Sequence, residues 1–233
     1  MIERALIFAA GRGERMRPLS DATPKPLLRV GGKRLIEWHL EKLATAGVRD
    51  VVINTSHLAE QFPAALGDGS FWDLRIHYSH EGPEPLETGG GMQRALPLLG
   101  REPFIALNGD IWCDFDFSTL RQNPTGLAHL VLVDNPPHHP RGDFYLRDGL
   151  LASDSSKDGP LPPAGTGLRL TFAGIGVYRP DLLHGQQAGK YSIVPILRAA
   201  FRSGRVSGEH FRGHWSDVGT PQRLAYVNAI LGG

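Results

Sequence analysis

The chain has 233 residues, 41% of them hydrophobic, with a formal net charge of +1. That length supports one sizeable domain around a continuous core, and so even a charge argues against nucleic-acid or membrane-surface binding, which call for a broad excess of Lys and Arg. No apolar run is long enough to cross a bilayer, and the N-terminus enters a strand-like segment without the pattern of a secretory leader, so a cytoplasmic protein is expected. Cys113 is the only cysteine. A lone thiol excludes an internal disulfide and a multi-cysteine zinc site, suits a reducing compartment, and reads as a small buried apolar residue.

In chain order, residues 5–10 form an apolar run ending in Gly11-Arg12-Gly13, the pattern of a buried strand followed by a glycine turn. Apolar positions recur at helical spacing over 35–46, closed by Gly47. A strand at 51–53, a helix over 57–66, a strand at 74–78, a helix over 90–99 and strands at 104–107 and 128–133 follow. Such alternation predicts an α/β fold, Rossmann-like, with a mixed, mostly parallel sheet flanked by helices. Beyond Asp134 the pattern changes to a Pro/His loop at 135–140, a hairpin over 143–152 turning at Asp148-Gly149, and a Ser/Pro/Gly-rich surface loop over 154–167. A strand at 168–178, a short helix after Pro180, a helix over 193–202, a strand and loop over 210–220 and a closing helix over 221–231 complete the reading. We expect a single domain over 1–233, whose part from 135 onward is a smaller lid built onto the first.

Charge is unevenly distributed. Residues 1–35 carry eight basic side chains against three acidic ones, a compact basic zone suited to a small polyanion such as a triphosphate. Within it, Gly11 and Gly13 allow successive backbone amides to converge on phosphate oxygens. Arg12 and Arg15 lie in the same turn, and Lys25 sits between two prolines that hold its backbone. Position 16 is Met, so the turn is not the G-x-G-x-x-G of dinucleotide-binding folds, and the chain has no Gly-Lys-Ser/Thr of a P-loop. Glu87-Thr88-Gly89-Gly90-Gly91 opens a helix with three glycines, each costing roughly 1 kcal/mol relative to alanine, which implies close approach of another group. Asp110 follows the strand at 104–107, at the end of the sheet where open α/β folds place ligands. Local spacing alone leaves it open whether Asp110 and Asp217 cap turns or bind metal. His138-His139 and the pair His210/His214 lack cysteine partners or an H-E-x-x-H spacing, which argues against zinc. Ser153, Ser155 and Ser156 lack the G-x-S-x-G context of an acyl-enzyme nucleophile.

Ala10-Gly11-Arg12-Gly13-Glu14-Arg15-Met16-Arg17-Pro18-Leu19 followed by Pro24-Lys25-Pro26-Leu27 resembles the signature of the sugar-1-phosphate nucleotidyltransferases. The likeness continues through Leu86–Gly90, Asn108-Gly109-Asp110, Gly142-Asp143, 171–176 and 215–220. It implies a nucleotide-diphospho-sugar transferase fold, with a nucleotide-binding part at 1–134, a sugar-binding part and lid at 135–233 and no C-terminal hexapeptide-repeat domain, and a reaction joining a nucleoside triphosphate to a sugar 1-phosphate with loss of pyrophosphate. By the same resemblance Arg15, Lys25, Asp110 and Asp217 are catalytic, Gly11, Gly13, Glu14, Arg15, Lys25, Glu87 and Gly89 hold the nucleotide, and Asn108, Asp143 and Gly174 contact the sugar. Asp110 and Asp217 would hold Mg2+. The implied partners are small-molecule substrates, with no nucleic acid or membrane, and the implied state is a monomer.

The inner motifs sit nearest to uridylyl transfer onto a recycled cell-wall sugar. The alternative is guanylyl transfer to mannose 1-phosphate or nucleotidyl transfer to another hexose 1-phosphate, because backbone groups of the Glu87–Gly91 loop could read either base. Many relatives carry a Glu-Lys-Pro triplet between the hairpin and the strand at 168–178, and this chain has none at 154–167, so the sugar is the least constrained part. A non-catalytic sugar-nucleotide sensor on the same fold would be expected to lack one of Arg15, Lys25, Asp110 or Asp217, and all four are present.

Overall fold

Two-sided burial organises the molecule. The computed structural model describes residues 2–121, 124–152 and 167–232. Thirteen strands occur among them: β1 (Arg4–Phe8), β2 (Arg29–Val30), β3 (Lys33–Arg34), β4 (Asp50–Thr55), β5 (Arg75–His80), β6 (Phe104–Asn108), β7 (Ile111–Cys113), β8 (Ala128–Val133), β9 (Phe144–Arg147), β10 (Leu150–Ala152), β11 (Leu168–Tyr178), β12 (Val206–His210) and β13 (Trp215–Asp217). The α-helices are α1 (Leu19–Ala22), α2 (Leu35–Thr45), α3 (Gln61–Leu66), α4 (Glu87–Leu99), α5 (Val194–Arg202) and α6 (Pro221–Ile230). Nine strands form one sheet in the order β5-β4-β1-β6-β11-β8-β12-β10-β9. The first four run parallel, β8 and β12 pair in parallel, and β11 runs antiparallel to both β6 and β8.

Successive residues of a strand face opposite sides. Ala5 and Ile7 of β1 pack with Ile36, Leu40 and Leu43 of α2, whereas Leu6 packs with Met92, Ala95 and Leu99 of α4. That is why β1 is apolar without alternation: both faces are covered. A smaller cluster of Val30, Leu35, Trp112, Val218 and Val227 seats α6 against the β2 and β7 region.

The α/β expectation and the hairpin at Asp148-Gly149 agree with the structure. Several elements differ, among them α1, the β2–β3 hairpin and β7, which were not expected. The helix expected over 57–66 forms only over Gln61–Leu66, after a turn in which Leu58 takes φ 51°. Strand β12 was not expected, since Val206-Ser-Gly-Glu-His offers no apolar alternation; its pairing with β8 defines it. Residues 154–166 of the expected loop, and Ser153, lie outside the described residues.

Candidate functional site

The glycine turn follows the carboxyl end of β1, beside the carboxyl end of β6. Gly13 adopts φ 65°, a left-handed conformation that glycine takes without a Cβ clash. Its carbonyl accepts from Met16 N at 2.8 Å and from Ser20 Oγ at 2.8 Å, which sets the turn. Gly109 N donates to Phe8 O at 2.9 Å. A Cβ at Gly109 would lie 2.8 Å from Phe8 O and 3.2 Å from Pro26 Cγ, so glycine allows β6, β1 and the Pro24–Pro26 segment to meet. The next residue, Asp110, is thereby delivered to Lys25, and Lys25 Nζ and Asp110 Oδ2 form an ion pair.

Antiparallel pairing of β13 with β7 sets Asp217 opposite Ile111, and Val218 N donates to Asp110 O at 2.7 Å. The two aspartates, distant in sequence, thus line one cavity of about 380 Å³ with Arg15, Asn108 and Asp143. Asp217 Oδ2 lies 3.1 Å from Arg223 Nη1, and Oδ1 lies 3.0 Å from His138 Nε2. The His138 contact lacks hydrogen-bond alignment, so Oδ1 is buried without a donor. An orphaned carboxylate oxygen beside a second carboxylate fits a hard cation such as Mg2+, which takes one or two carboxylates and keeps the remaining positions for water and phosphate. Among the described residues no group of three or more His, Cys, Asp or Glu forms a metal cage. His139 Nε2 lies 2.9 Å from Asp143 Oδ1 and His210 Nε2 2.9 Å from Asp134 Oδ1.

On the other side of Lys25 lies a cavity of about 750 Å³ lined by Arg12, Gly13, Glu14, Arg15, Glu87 and Lys190, among others. Four cations, Arg12, Arg15, Lys25 and Lys190, line this space together with Glu14, Glu84 and Glu87. A narrower cavity of about 240 Å³ adjoins it, with Ala9, Ala10, Gly11, Asn54, Glu81, Glu87 and Thr88 in its walls. Asn54 sets part of that wall by accepting from Ala9 N at 2.6 Å and donating to Glu81 Oε1 at 2.6 Å. Glu81 Oε2 accepts from Leu86 N at 2.7 Å. Burial raises the Glu81 carboxyl above its usual range, against the lowering influence of the Leu86 and Asn54 hydrogen bonds.

The close approach expected at the three glycines of α4 is present within the fold itself. A Cβ at Gly89 would strike the Tyr191 ring, one at Gly90 the carbonyl of Gly189, and one at Gly91 the Glu81 carboxylate. The groups in close approach belong to the protein itself. Gly89 N and Gly90 N both donate to Tyr191 O, at 2.9 and 3.1 Å, so the Gly89 amide is already committed, and Gly89 lines neither nucleotide-side cavity. Glu87 lines both cavities and holds φ 61°, a costly conformation for a non-glycine residue. The strap of residues 189–191, docked on α4, also presents Lys190 to the larger cavity.

On the sugar side, Asp143 Oδ2 accepts from Phe172 N at 2.9 Å while Oδ1 faces His139. Gly174, at φ 76°, lies in the bulge of β11, where a Cβ would come 2.7 Å from Asn108 Nδ2. Of the predicted residues, Arg15, Asn108, Asp110, Asp143 and Asp217 share one cavity, and Gly13, Glu14, Arg15, Lys25 and Glu87 another. Gly11 lies in the narrower one, Gly174 stands behind Asn108, and Gly89 stands apart. Lys190, His138, His139 and Arg223 were not anticipated as site residues. The two histidines stood out in the sequence only as metal candidates, and nothing local marked the other two.

Cavities on either side of a lysine–carboxylate pair, one with four cations in its lining and one lined by hydrogen-bonding side chains, suit a transferase that brings two phosphorylated molecules together. The profile described as Nucleotidyl transferase matches residues 4–144, and the chain belongs to that family. It is 49% identical to the N-acetylmuramate alpha-1-phosphate uridylyltransferase of Neisseria meningitidis serogroup B, over 98% of each chain. A second protein of that name, from Caulobacter vibrioides, is 32% identical over 97% of this chain and 96% of its own. The solved inositol-1-phosphate CTP transferase of T. maritima shares the fold, with a TM-score of 0.80 at 16% identity over 99% of this chain and 95% of that one.

Proposed function

We propose that the protein transfers the uridylyl group of UTP to N-acetylmuramate α-1-phosphate, giving the UDP-sugar and pyrophosphate in the recycling of cell-wall sugars. The observation that carries this reading is the meeting of Asp110, Asp217 and Arg15 in one cavity, with Lys25 ion-paired to Asp110 and facing the cationic cavity beside it. The choice of base and sugar is supported by the 49% identity to the Neisseria enzyme along nearly the whole of both chains.

In this scheme the triphosphate lies in the larger cavity, its charge balanced by Arg12, Arg15, Lys25 and Lys190 and by the amides of the Gly11–Gly13 turn. The base enters the narrower cavity, against the wall that Asn54 and Glu81 hold rigid. The sugar occupies the space bordered by Asn108, Asp143 and the β11 bulge. A phosphate monoester has a second pKa of about 6, so the attacking oxygen of the sugar phosphate is ionised near neutrality and needs no general base. Catalysis then consists of aligning two anions for in-line attack at the α phosphorus and offsetting their repulsion. Asp110 and Asp217 would hold Mg2+, which supplies charge neutralisation at the α phosphate. Lys25 and Arg15 steady the departing pyrophosphate.

We place the reaction in the cytoplasm and the protein as a monomer, with one nucleotidyltransferase domain whose residues 1–134 serve the nucleotide and whose later residues serve the sugar. No helix among the described residues is long and apolar enough to cross a membrane. The test is pyrophosphate release with Mg2+, each nucleoside triphosphate in turn and a panel of sugar 1-phosphates. Release with UTP and N-acetylmuramate α-1-phosphate is expected. Release only with another pair would keep the chemistry and replace the substrate, and release with none would overturn the reading.

A further inference from the structure

The loop that leads into β9 folds back on its own last residue. His139 N donates to Pro136 O at 2.8 Å and Gly142 N donates to His139 O at 3.1 Å, which makes two consecutive turns. Asn135 ties the start of the loop to β11, accepting from Thr171 Oγ1 at 2.9 Å and donating to Arg169 O at 3.0 Å. Asp143 N ties the end of the loop to the same strand by donating to Leu170 O at 2.8 Å. The turns bring the His139 ring over Asp143, four residues on, and the Asp143 carboxylate is held at both oxygens. Oδ2 accepts from Phe172 N and Oδ1 from His139 Nε2, each at 2.9 Å. His139 and Asp143 both line the sugar-side cavity, together with Asp110 and Asp217.

We propose that His139 is a positioning residue of the sugar side: its Nε2–H fixes the Asp143 carboxylate, and that carboxylate, rather than the imidazole, receives a hydroxyl of the sugar. The inference rests on the proposed placement of the sugar beside Asp143. A carboxylate offers about four acceptor sites on its two oxygens, so the bonds from Phe172 N and His139 Nε2 leave sites free for hydroxyl donors. Two donors on two oxygens fix the plane of the group, whereas the Phe172 amide alone would let it swing about one bond. Charge adds a second reason. Asp110 and Asp217 share the cavity and repel a third carboxylate, and a donor on Oδ1 offsets part of that repulsion. The His139 side chain is 41% exposed, so it contributes little to the core, and replacing it should act on the cavity and not on the fold.

The test is steady-state pyrophosphate release with UTP and N-acetylmuramate α-1-phosphate, each varied in turn. His139→Ala is expected to raise the KM for the sugar phosphate about tenfold, the range of one hydrogen bond to a charged group, with little change in the KM for UTP or in the melting temperature. Adding His139→Ala to Asp143→Ala should cost nothing beyond Asp143→Ala alone, because a residue that acts through a carboxylate has no effect once the carboxylate is gone. An unchanged KM for the sugar phosphate in His139→Ala would overturn the proposal. So would an equal rise in both KM values, which marks a general disturbance of the site. Additive losses in the double variant would also overturn it, since they mean that the imidazole touches the sugar independently of Asp143. Should His139→Ala fail to fold, His139→Phe keeps a ring and removes the donor, and the same comparisons decide. Failure of the uridylyl reading would appear separately, in the wild-type protein, as release only with another nucleotide and sugar phosphate, and the His139 comparison then runs on that pair.

Discussion

Lys25 Nζ and Asp110 Oδ2, 85 residues apart in the chain, form an ion pair at the junction of the nucleotide-side and sugar-side cavities. Lys25 comes from a short turn between two prolines and Asp110 from the end of β6, and Gly109 is what lets the two segments approach. The pair brings the cation proposed for the triphosphate and a carboxylate proposed for the metal into one place.

Asp110→Asn keeps the shape and removes the charge. With the Asp110 side chain 31% exposed, the fold should survive, and the melting temperature should shift little. Turnover should fall by about a thousandfold or more if this carboxylate organises the charge at the reacting phosphate. Pyrophosphate release measures it, and an active Asp110→Asn protein would remove Asp110 from the metal site.

Lys190 enters the nucleotide side from the strap docked on α4, and among the described residues it has no ion-pair or hydrogen-bond partner. Lys190→Ala should raise the KM for UTP by about tenfold with a smaller change in kcat, as expected for loss of one charge-assisted phosphate contact. Added salt should narrow the gap between variant and wild type, because an open site is screened. Identical KM values at low salt would exclude the contact.

Gly90→Ala tests the packing of α4 against that strap. The new methyl would run into the carbonyl of Gly189, a backbone atom that cannot rotate away. Destabilisation of about 1–3 kcal/mol is expected, despite alanine being the better helix former. A denaturant titration reads it, and a more stable Gly90→Ala protein would show that the strap moves freely.

Asn54 is 2% exposed and bonds to both Ala9 N and Glu81. Asn54→Ala leaves a buried amide without an acceptor and a buried carboxylate short of a donor, at a cost of about 1–3 kcal/mol for each unsatisfied group. Since Ala9 and Glu81 both line the narrower cavity, the KM for UTP should rise together with the loss of stability. Loss of stability without any change in KM would separate this network from nucleotide binding.

His39 predicts an acid limb. It is fully buried in α2 beneath β7, and burial together with the nearby Lys42 lowers its pKa from 6.5 to about 4. The folded protein keeps the ring neutral while the unfolded chain binds a proton from about pH 6.5 downward. Stability should therefore be full above pH 6.5 and decline as pH falls toward 4, by on the order of 3 kcal/mol from this residue. His39→Gln should flatten that slope between pH 6.5 and 4 in urea titrations; an unchanged slope would assign the loss to other groups.

What the sequence determined by itself follows from local physics. An apolar run without alternation means a strand buried on both faces, glycines after it mean a tight turn, and prolines around Lys25 mean a held backbone, so β1 and the glycine turn could be placed without coordinates. The helix–strand alternation likewise defined the α/β class. The glycines of α4 were visible as a demand for close approach, but their neighbour could not be named, because Tyr191 and Gly189 lie about a hundred residues away and nothing in either segment refers to the other. The same holds for β12, for the meeting of Asp110 with Asp217 across the β7–β13 pair, and for Arg223 beneath Gly219. Such contacts depend on strand order and register, which arise when distant apolar faces are buried together. Only the tertiary structure could decide them, since residue type and spacing describe a chain's neighbours along the backbone and leave its neighbours in space to the packing of the whole sheet.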